Sequence, residues 1–209
     1  DSFGKRTYQT VNASGVYNLS FYSDYGFRIT NWKLRFGLGP TINFNHNIDF
    51  INGSKNETDL RNYGLRINLS KWVDKKYDFY VSTAFTKNTT TASVNTAANA
   101  EFWQLEVWSN VRVNLPKNFE FKTDANVQVR QKDPRFTEQS NFTTWNASII
   151  KRMLKNNKLE VQLGLYDILN QNRGYQRSGF TETYYNTLRR FWLLTVTWNI
   201  SKNGKPATW

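Results

Sequence analysis

Apolar and polar residues alternate along most of this chain with a period of two. Between Arg189 and Ile200 one parity holds Trp192, Leu194, Val196, Trp198 and Ile200; the other holds Phe191, Leu193, Thr195, Thr197 and Asn199. Successive side chains of a strand point to opposite faces, so this stretch predicts a strand with one wholly apolar face. The alternation lasts roughly ten residues, the length that crosses a bilayer as a tilted strand. Tryptophan stands near each end of the apolar face, and Trp and Tyr gather at membrane–water boundaries because their apolar rings carry polar tips. The expected element is a transmembrane strand whose Trp192, Leu194, Val196, Trp198 and Ile200 face lipid.

The same pattern recurs upstream. A first strand is predicted over residues 9–21, closed by a turn at Asp24-Tyr25-Gly26. The second, residues 32–50, is the longest: Trp32, Leu34, Phe36, Leu38, Ile42, Phe44, Ile48 and Phe50 share one parity, with Pro40 and His46 among them. Proline removes a ladder donor, so a bulge or local break is expected near Pro40. A loop at residues 52–56 leads to a third strand at 62–69, and a short link at 73–76 to a fourth at 77–87. A long Thr-, Asn- and Ala-rich link at 88–100 follows. The fifth strand (102–115), a turn at 116–118 and the sixth (119–131) come next. A polar loop at 133–141, the seventh strand (142–151), a turn at 155–158 and the eighth (from Leu159) complete the series. A long link over 170–188 then precedes the final strand.

Short links therefore alternate with long ones, the asymmetry of an outer-membrane barrel with short periplasmic turns and long outer loops. The fold class expected is all-β: an antiparallel transmembrane β-barrel, with about nine strands in this chain and the C-terminus periplasmic. Residues 1–200 are assigned to the barrel and 201–209 to a periplasmic tail. Nine is an odd count, and the first and last strands run in the same direction, so pairing them would create a parallel contact. The expectation is that these are the C-terminal strands of a larger barrel, with further strands upstream.

Composition adjusts this picture little. Mean hydropathy is -0.67 and no run approaches a spanning helix, but a barrel needs lipid-facing residues only at alternate positions. An aromatic share of 16% fits two interfacial girdles, and the absence of cysteine rules out disulfides and thiolate metal sites. The net charge of +12 invites a nucleic-acid partner, but the Lys and Arg residues are dispersed among strands, turns and loops instead of gathered on one face, so none is expected. The single histidine, His46, has no nucleophile–base pair built around it, so neither an enzyme nor a cofactor is expected.

Two groups are candidates for function. Arg66, Glu106, Arg112, Lys122, Asp124 and Arg130 share the polar parity and form the expected lumen wall. Arg173, Tyr175, Arg177, Tyr184 and Tyr185 crowd the last outer loop, where arginines beside aromatic rings are suited to sugars or anions.

The run Leu163-Gly164-Leu165-Tyr166-Asp167-Ile168-Leu169-Asn170-Gln171-Asn172, followed by the final strand, resembles the C-terminal hairpin of TonB-dependent receptors. Its Asp-Ile-Leu-Asn-Gln-Asn form, with Trp145-Asn146-Ala147-Ser148-Ile149 upstream, is most similar to the SusC-like branch of the Bacteroidetes. That resemblance implies import of a nutrient such as a glycan, peptide or siderophore, an upstream plug, energy from TonB, a SusD-like surface lipoprotein, and lipopolysaccharide around the barrel. Trp209 is a candidate for the terminal aromatic of such barrels, although the chain runs on from Ile200 to reach it. The alternative is a small self-contained outer-membrane barrel with a binding, adhesion or enzymatic role.

Overall fold

A computed structural model describes residues 10–132, 141–178 and 181–200. It contains β1 (Tyr17–Tyr22), β2 (Tyr25–Ile29), β3 (Leu34–Ile51), β4 (Ser54–Val73), β5 (Tyr77–Ala92), β6 (Ala100–Leu115), β7 (Phe119–Arg130), β8 (Phe142–Met153), β9 (Leu159–Tyr166), β10 (Tyr175–Ser178), β11 (Thr181–Tyr184) and β12 (Phe191–Trp198). One antiparallel sheet runs β1-β3-β4-β5-β6-β7-β8-β9-β12, with β2 also on β3; β10 and β11 form a separate hairpin. The proposed tail, Trp209 included, lies outside the described residues, and no described helix is long and apolar enough to cross a membrane.

β1 and β2 are two parts of one strand. Tyr22 pairs with Thr41 and Tyr25 with Leu38, so the register along β3 is unbroken across Ser23 and Asp24. The interruption has a local cause. Ser23 N–H donates to Pro40 O at 3.3 Å, but Pro40 has no N–H to return the bond. The break expected from Pro40 thus falls on the neighbouring strand. A Cβ at Gly39 would lie 2.8 Å from Ser23 O, so the close approach requires glycine there. The turn expected at Asp24-Tyr25-Gly26 is corrected: Tyr25 and Gly26 are strand, and the chain reverses at Thr30–Trp32 and Lys33. Residues 10–16, assigned above to the first strand, lie outside it.

The loop expected after the second strand is also corrected. Ile51 pairs with Ser54, leaving a two-residue turn in which Asn52 (φ 51) and Gly53 (φ 81) are both left-handed. That is the Asn-Gly chemistry of a tight hairpin. β4 therefore begins at Ser54, eight residues earlier than the alternation indicates, and β5 likewise runs on to Ala92.

The register places one parity of every strand on a common face. Leu34, Phe36, Leu38, Ile42 and Phe44 of β3 adjoin Tyr63, Leu65, Ile67, Leu69 and Val73 of β4, and these adjoin Tyr77, Phe79, Val81 and Phe85 of β5. The face continues through Val107, Val111 and Val113, then Phe119, Phe121 and Val127, then Ala147 and Ile149, then Val161 and Leu163, to Leu194 and Val196. The opposite face carries Asn, Ser, Thr, Gln and charged residues.

This single layer has almost no interior. Among the described residues the buried hydrophobics are Ala92, Ala98 and Ile150, whereas Trp192 and Trp198 are 71% and 64% exposed. The accessible surface is 15839 Å², against about 10,000 Å² expected of a compact soluble chain of this mass. An apolar face this extensive requires an apolar surrounding.

A knot of polar caps fixes the long link between β9 and β12. The Asp167 carboxylate, 4% exposed, accepts Gln171 N–H at 3.0 Å and Asn172 N–H at 3.1 Å. Asp167 N–H donates to Asn146 Oδ1 at 2.9 Å, and Gln171 Oε1 accepts Thr143 N–H at 2.9 Å. Asn170 Oδ1 accepts Arg190 N–H, and Asn172 Nδ2 donates to Thr187 Oγ1. The polar residues of Asp-Ile-Leu-Asn-Gln-Asn thus satisfy backbone and side-chain groups on both sides of the loop. Asp167→Ala removes a charged acceptor from two N–H groups, each bond being worth ~1.5–3 kcal/mol. Limited proteolysis in detergent should then cut residues 167–190 much faster than in the wild type, with Asp167→Asn intermediate; equal cleavage would contradict a structural role for the carboxylate.

Candidate functional site

The polar face is built by the parity that the apolar face leaves behind. β4 contributes Asn62, Arg66, Asn68 and Ser70; β5 contributes Asp78, Tyr80, Ser82 and Asn88; β6 contributes Gln104, Glu106, Trp108 and Arg112. β7 adds Glu120, Lys122, Asp124, Asn126 and Arg130. All six residues expected on the lumen wall, Arg66, Glu106, Arg112, Lys122, Asp124 and Arg130, lie on this face.

They divide into separate groups. Arg66 and Glu106 line one hollow of 520 Å³ with Tyr80, Ser82, Trp108 and Asn126. Tyr80 and Trp108 stand 5.3 Å apart between ring centroids, and Tyr80 Oη donates to Asn68 Oδ1 at 3.0 Å. Glu106 accepts Gln104 Nε2 at 2.6 Å, whereas among the described residues Arg66 has no ion pair. Arg112 pairs with Asp78 at 3.8 Å. Lys122 joins a network nearer the short turns: Glu120, 4% exposed, lies 3.0 Å from Lys122 and 2.9 Å from Arg152, which also reaches Glu160 at 3.0 Å. Asp124 Oδ2 accepts Asn146 Nδ2 at 2.8 Å, which connects it to the Asp167 knot and gives it structural work. Arg130 lies over the Phe102 ring at 3.6 Å.

Arg130 and Phe102 line a second hollow of 490 Å³ near the long-link end, with Asp49, Asn56, Asn62, Asn88 and Thr90. Asn56, 2% exposed, is its keystone and was not legible as such in the sequence. Its Nδ2 donates to Asp49 Oδ1 at 2.7 Å and to Thr58 Oγ1; its Oδ1 accepts Val94 N–H at 3.0 Å and Asn95 N–H at 3.2 Å. One amide thus holds the β5–β6 link against the β3–β4 ribbon. Trp108 carried a usable signal, a tryptophan at polar parity, and Tyr80 carried a weaker one of the same kind.

The outer-loop candidates sit on and beside the β10–β11 hairpin. Tyr175 and Tyr184 are cross-strand partners with rings 5.2 Å apart, and Arg177 is opposite Glu182 in the register. Tyr185 and Arg173 are exposed, next to the hairpin. His46, on the apolar parity above Phe44, stacks on Tyr17 at 5.3 Å and places Nδ1 2.7 Å from Asp59 Oδ1. Among the described residues no three His, Cys, Asp or Glu side chains converge to hold a metal ion.

The final strand completes the apolar face. Trp192, Leu194, Val196 and Trp198 pair with Leu165, Leu163, Val161 and Leu159, and Ile200 follows as one of the most exposed side chains.

Neither a curated protein nor a solved structure matches the chain. The model of one family, described as an outer membrane protein beta-barrel family, matches residues 10–198. That span holds the whole nine-strand ladder, its apolar face and its polar face, and the chain belongs to the outer membrane protein β-barrel family.

Proposed function

We propose that this chain is the C-terminal part of the barrel wall of a TonB-dependent outer-membrane receptor that imports a nutrient such as a glycan, peptide or siderophore. The observation that carries the reading is the pair of sheet edges. β1 and β12 occupy opposite ends of a nine-strand antiparallel path, so they run the same way, and among the described residues each has one paired side. In hydrocarbon each unpaired N–H or C=O costs several kcal/mol. Upstream strands that close the barrel would satisfy both edges. The Asp167–Asn172 knot, on the segment that resembles the receptors' C-terminal hairpin, also supports it.

In this reading residues 1–200 are wall and 201–209 a periplasmic tail. The apolar parity, including Trp192, Leu194, Val196, Trp198 and Ile200, faces lipid, with lipopolysaccharide in the outer leaflet. The polar face looks into the lumen. Arg66, Glu106 and Arg130 are placed to meet the cargo or an upstream plug, while Arg112, Lys122 and Asp124 hold the wall together through their partners. Arg173, Tyr175, Arg177, Tyr184 and Tyr185 form an outer surface for a ligand or a SusD-like lipoprotein, and TonB engages the upstream region.

Closure is tested by expressing residues 1–209 alone and together with the upstream part of the gene product. The isolated chain should give no heat-modifiable barrel in detergent, and the complete product should give one and photo-crosslink to TonB. A closed barrel from 1–209 alone would favour the small-barrel alternative.

Face assignment is tested in the complete product. A Lys at position 196 meets the bilayer and costs ~2–4 kcal/mol near its midplane, whereas the lumen is hydrated. Val196→Lys should therefore lower the folded yield far more than Thr197→Lys, and equal tolerance would contradict the assignment.

Sidedness is read by cysteine labelling, since the chain has no cysteine of its own. Thr96→Cys should react with an impermeant maleimide on intact cells and Lys76→Cys only after lysis. The opposite result would invert the topology.

A further inference from the structure

The short-link end of the sheet gathers positive charge without ion pairs in its turns. Its four turns hold Lys33, then Asp74, Lys75 and Lys76, then Lys117, then Lys155 and Lys158. Among the described residues none of these six lysines has an ion pair, and Asp74 is the one acid in those turns. The long-link end differs. Its outward cations on β4 and β5 are matched: Lys55 with Glu57 at 2.5 Å, Arg61 with Asp59 at 3.6 Å and Lys87 with Glu101 at 2.6 Å.

Backbone geometry is a second, independent observation. Lys33 (φ 51), Lys75 (φ 55) and Lys117 (φ 60) each occupy the left-handed region. Glycine or asparagine holds that conformation with less strain than a long side chain. The tight turn at the other end uses them, Asn52 and Gly53. Three turns of the short-link end thus carry lysine where local conformation favours another residue, so the ammonium group has a use that turn formation does not explain.

The apolar face shows what lies beside the rim. Lys71 sits over the Tyr77 ring at 5.7 Å and Lys151 over the Phe119 ring at 4.3 Å, both on the apolar parity within a few residues of the short turns. Lys151 Nζ also donates to Lys117 O, tying the band to the next turn. Long cationic side chains at such a boundary lay their stems on apolar surface and hold their heads at headgroup depth. Cations spread over four successive turns along one edge of the sheet, next to an apolar band, fit an extended anionic surface better than a compact ligand.

We infer that this lysine rim docks the phosphate headgroups of anionic glycerophospholipids in the leaflet at the short-link end. The rim then fixes the depth of the barrel and recruits anionic lipid around it. The assignment is separate from import: it needs the barrel and its lipid face, and it names a contact made whatever the cargo.

The test uses the complete gene product in nanodiscs of phosphatidylcholine with a minor fraction of phosphatidylglycerol. Lipid retained on the protein after mild detergent extraction is quantified by mass spectrometry. Each lysine near an anionic surface contributes about fivefold in affinity, so the wild type should retain phosphatidylglycerol in several-fold excess over its bulk fraction. Raising the salt to 0.5 M should remove most of that excess without any substitution. The variant Lys33→Asn, Lys75→Asn, Lys117→Asn should lose at least half of it. Its thermal stability should be unchanged or higher, because asparagine suits the left-handed turns. Arginine at the same three positions should keep the enrichment, and Lys55→Gln with Lys87→Gln should leave it intact. No enrichment in the wild type, salt-insensitive enrichment, or enrichment that survives the asparagine variant would overturn the inference.

Discussion

A peptide group in hydrocarbon finds no water, so each N–H and C=O must be paired within the protein. The ladder from β1 to β12 meets this demand strand by strand, and the rest of the structure follows from it. Pairing fixes the register, and the register decides which parity faces out. Pro40 shows how tight the constraint is. One missing N–H is enough to divide β1 from β2, while Gly39 lets the two chains stay close enough to keep the register.

Because the sheet is a single layer, its stability cannot come from a hydrophobic interior of its own. The apolar face supplies Leu, Ile, Val and Phe to the surroundings, and the polar face is held by local bonds. Those bonds are concentrated in two places: the Glu120–Arg152–Glu160 network close to the short turns, and the Asp124–Asn146–Asp167 chain that leads into the long link between β9 and β12. At the long-link end Asn56 does comparable work through four hydrogen bonds. Between these fixed ends lies the hollow of Arg66, Glu106, Tyr80 and Trp108, where a charge and two rings remain available.

Alternation made the bilayer-crossing parts of the strands legible, because there one face meets lipid and the other water. β6, β7 and β8 fall within a few residues of where the pattern puts them. The signal failed where both faces meet water. Ser54 to Arg61 and Asn88 to Ala92 are strand, yet Thr, Asn, Lys and Glu occupy both parities there, so a strand reads as a loop. Asp24-Tyr25-Gly26 misled for a different reason: the ladder is interrupted at Ser23 and Asp24, opposite Pro40 and Gly39, but the chain resumes the same register at Tyr25 instead of turning. The parity of the six residues expected on the lumen wall was readable, but their grouping was not, since Arg66 and Glu106 meet only through two successive registers. The roles of Asn56 and Asp167 depend on backbone groups of distant segments, which carry no side-chain signature.

The central claim is that one sheet face meets lipid and the other an aqueous lumen. Single cysteines placed at each position from Asn62 to Val73 of β4, labelled with a fluorophore in the complete protein, can be read with lipid-attached quenchers and with a water-soluble one. Positions 63, 65, 67 and 69 should be quenched from the lipid, and 62, 64, 66 and 68 from water, in strict alternation. Uniform quenching along the strand, or a lipid signal on the Arg66 parity, would contradict it.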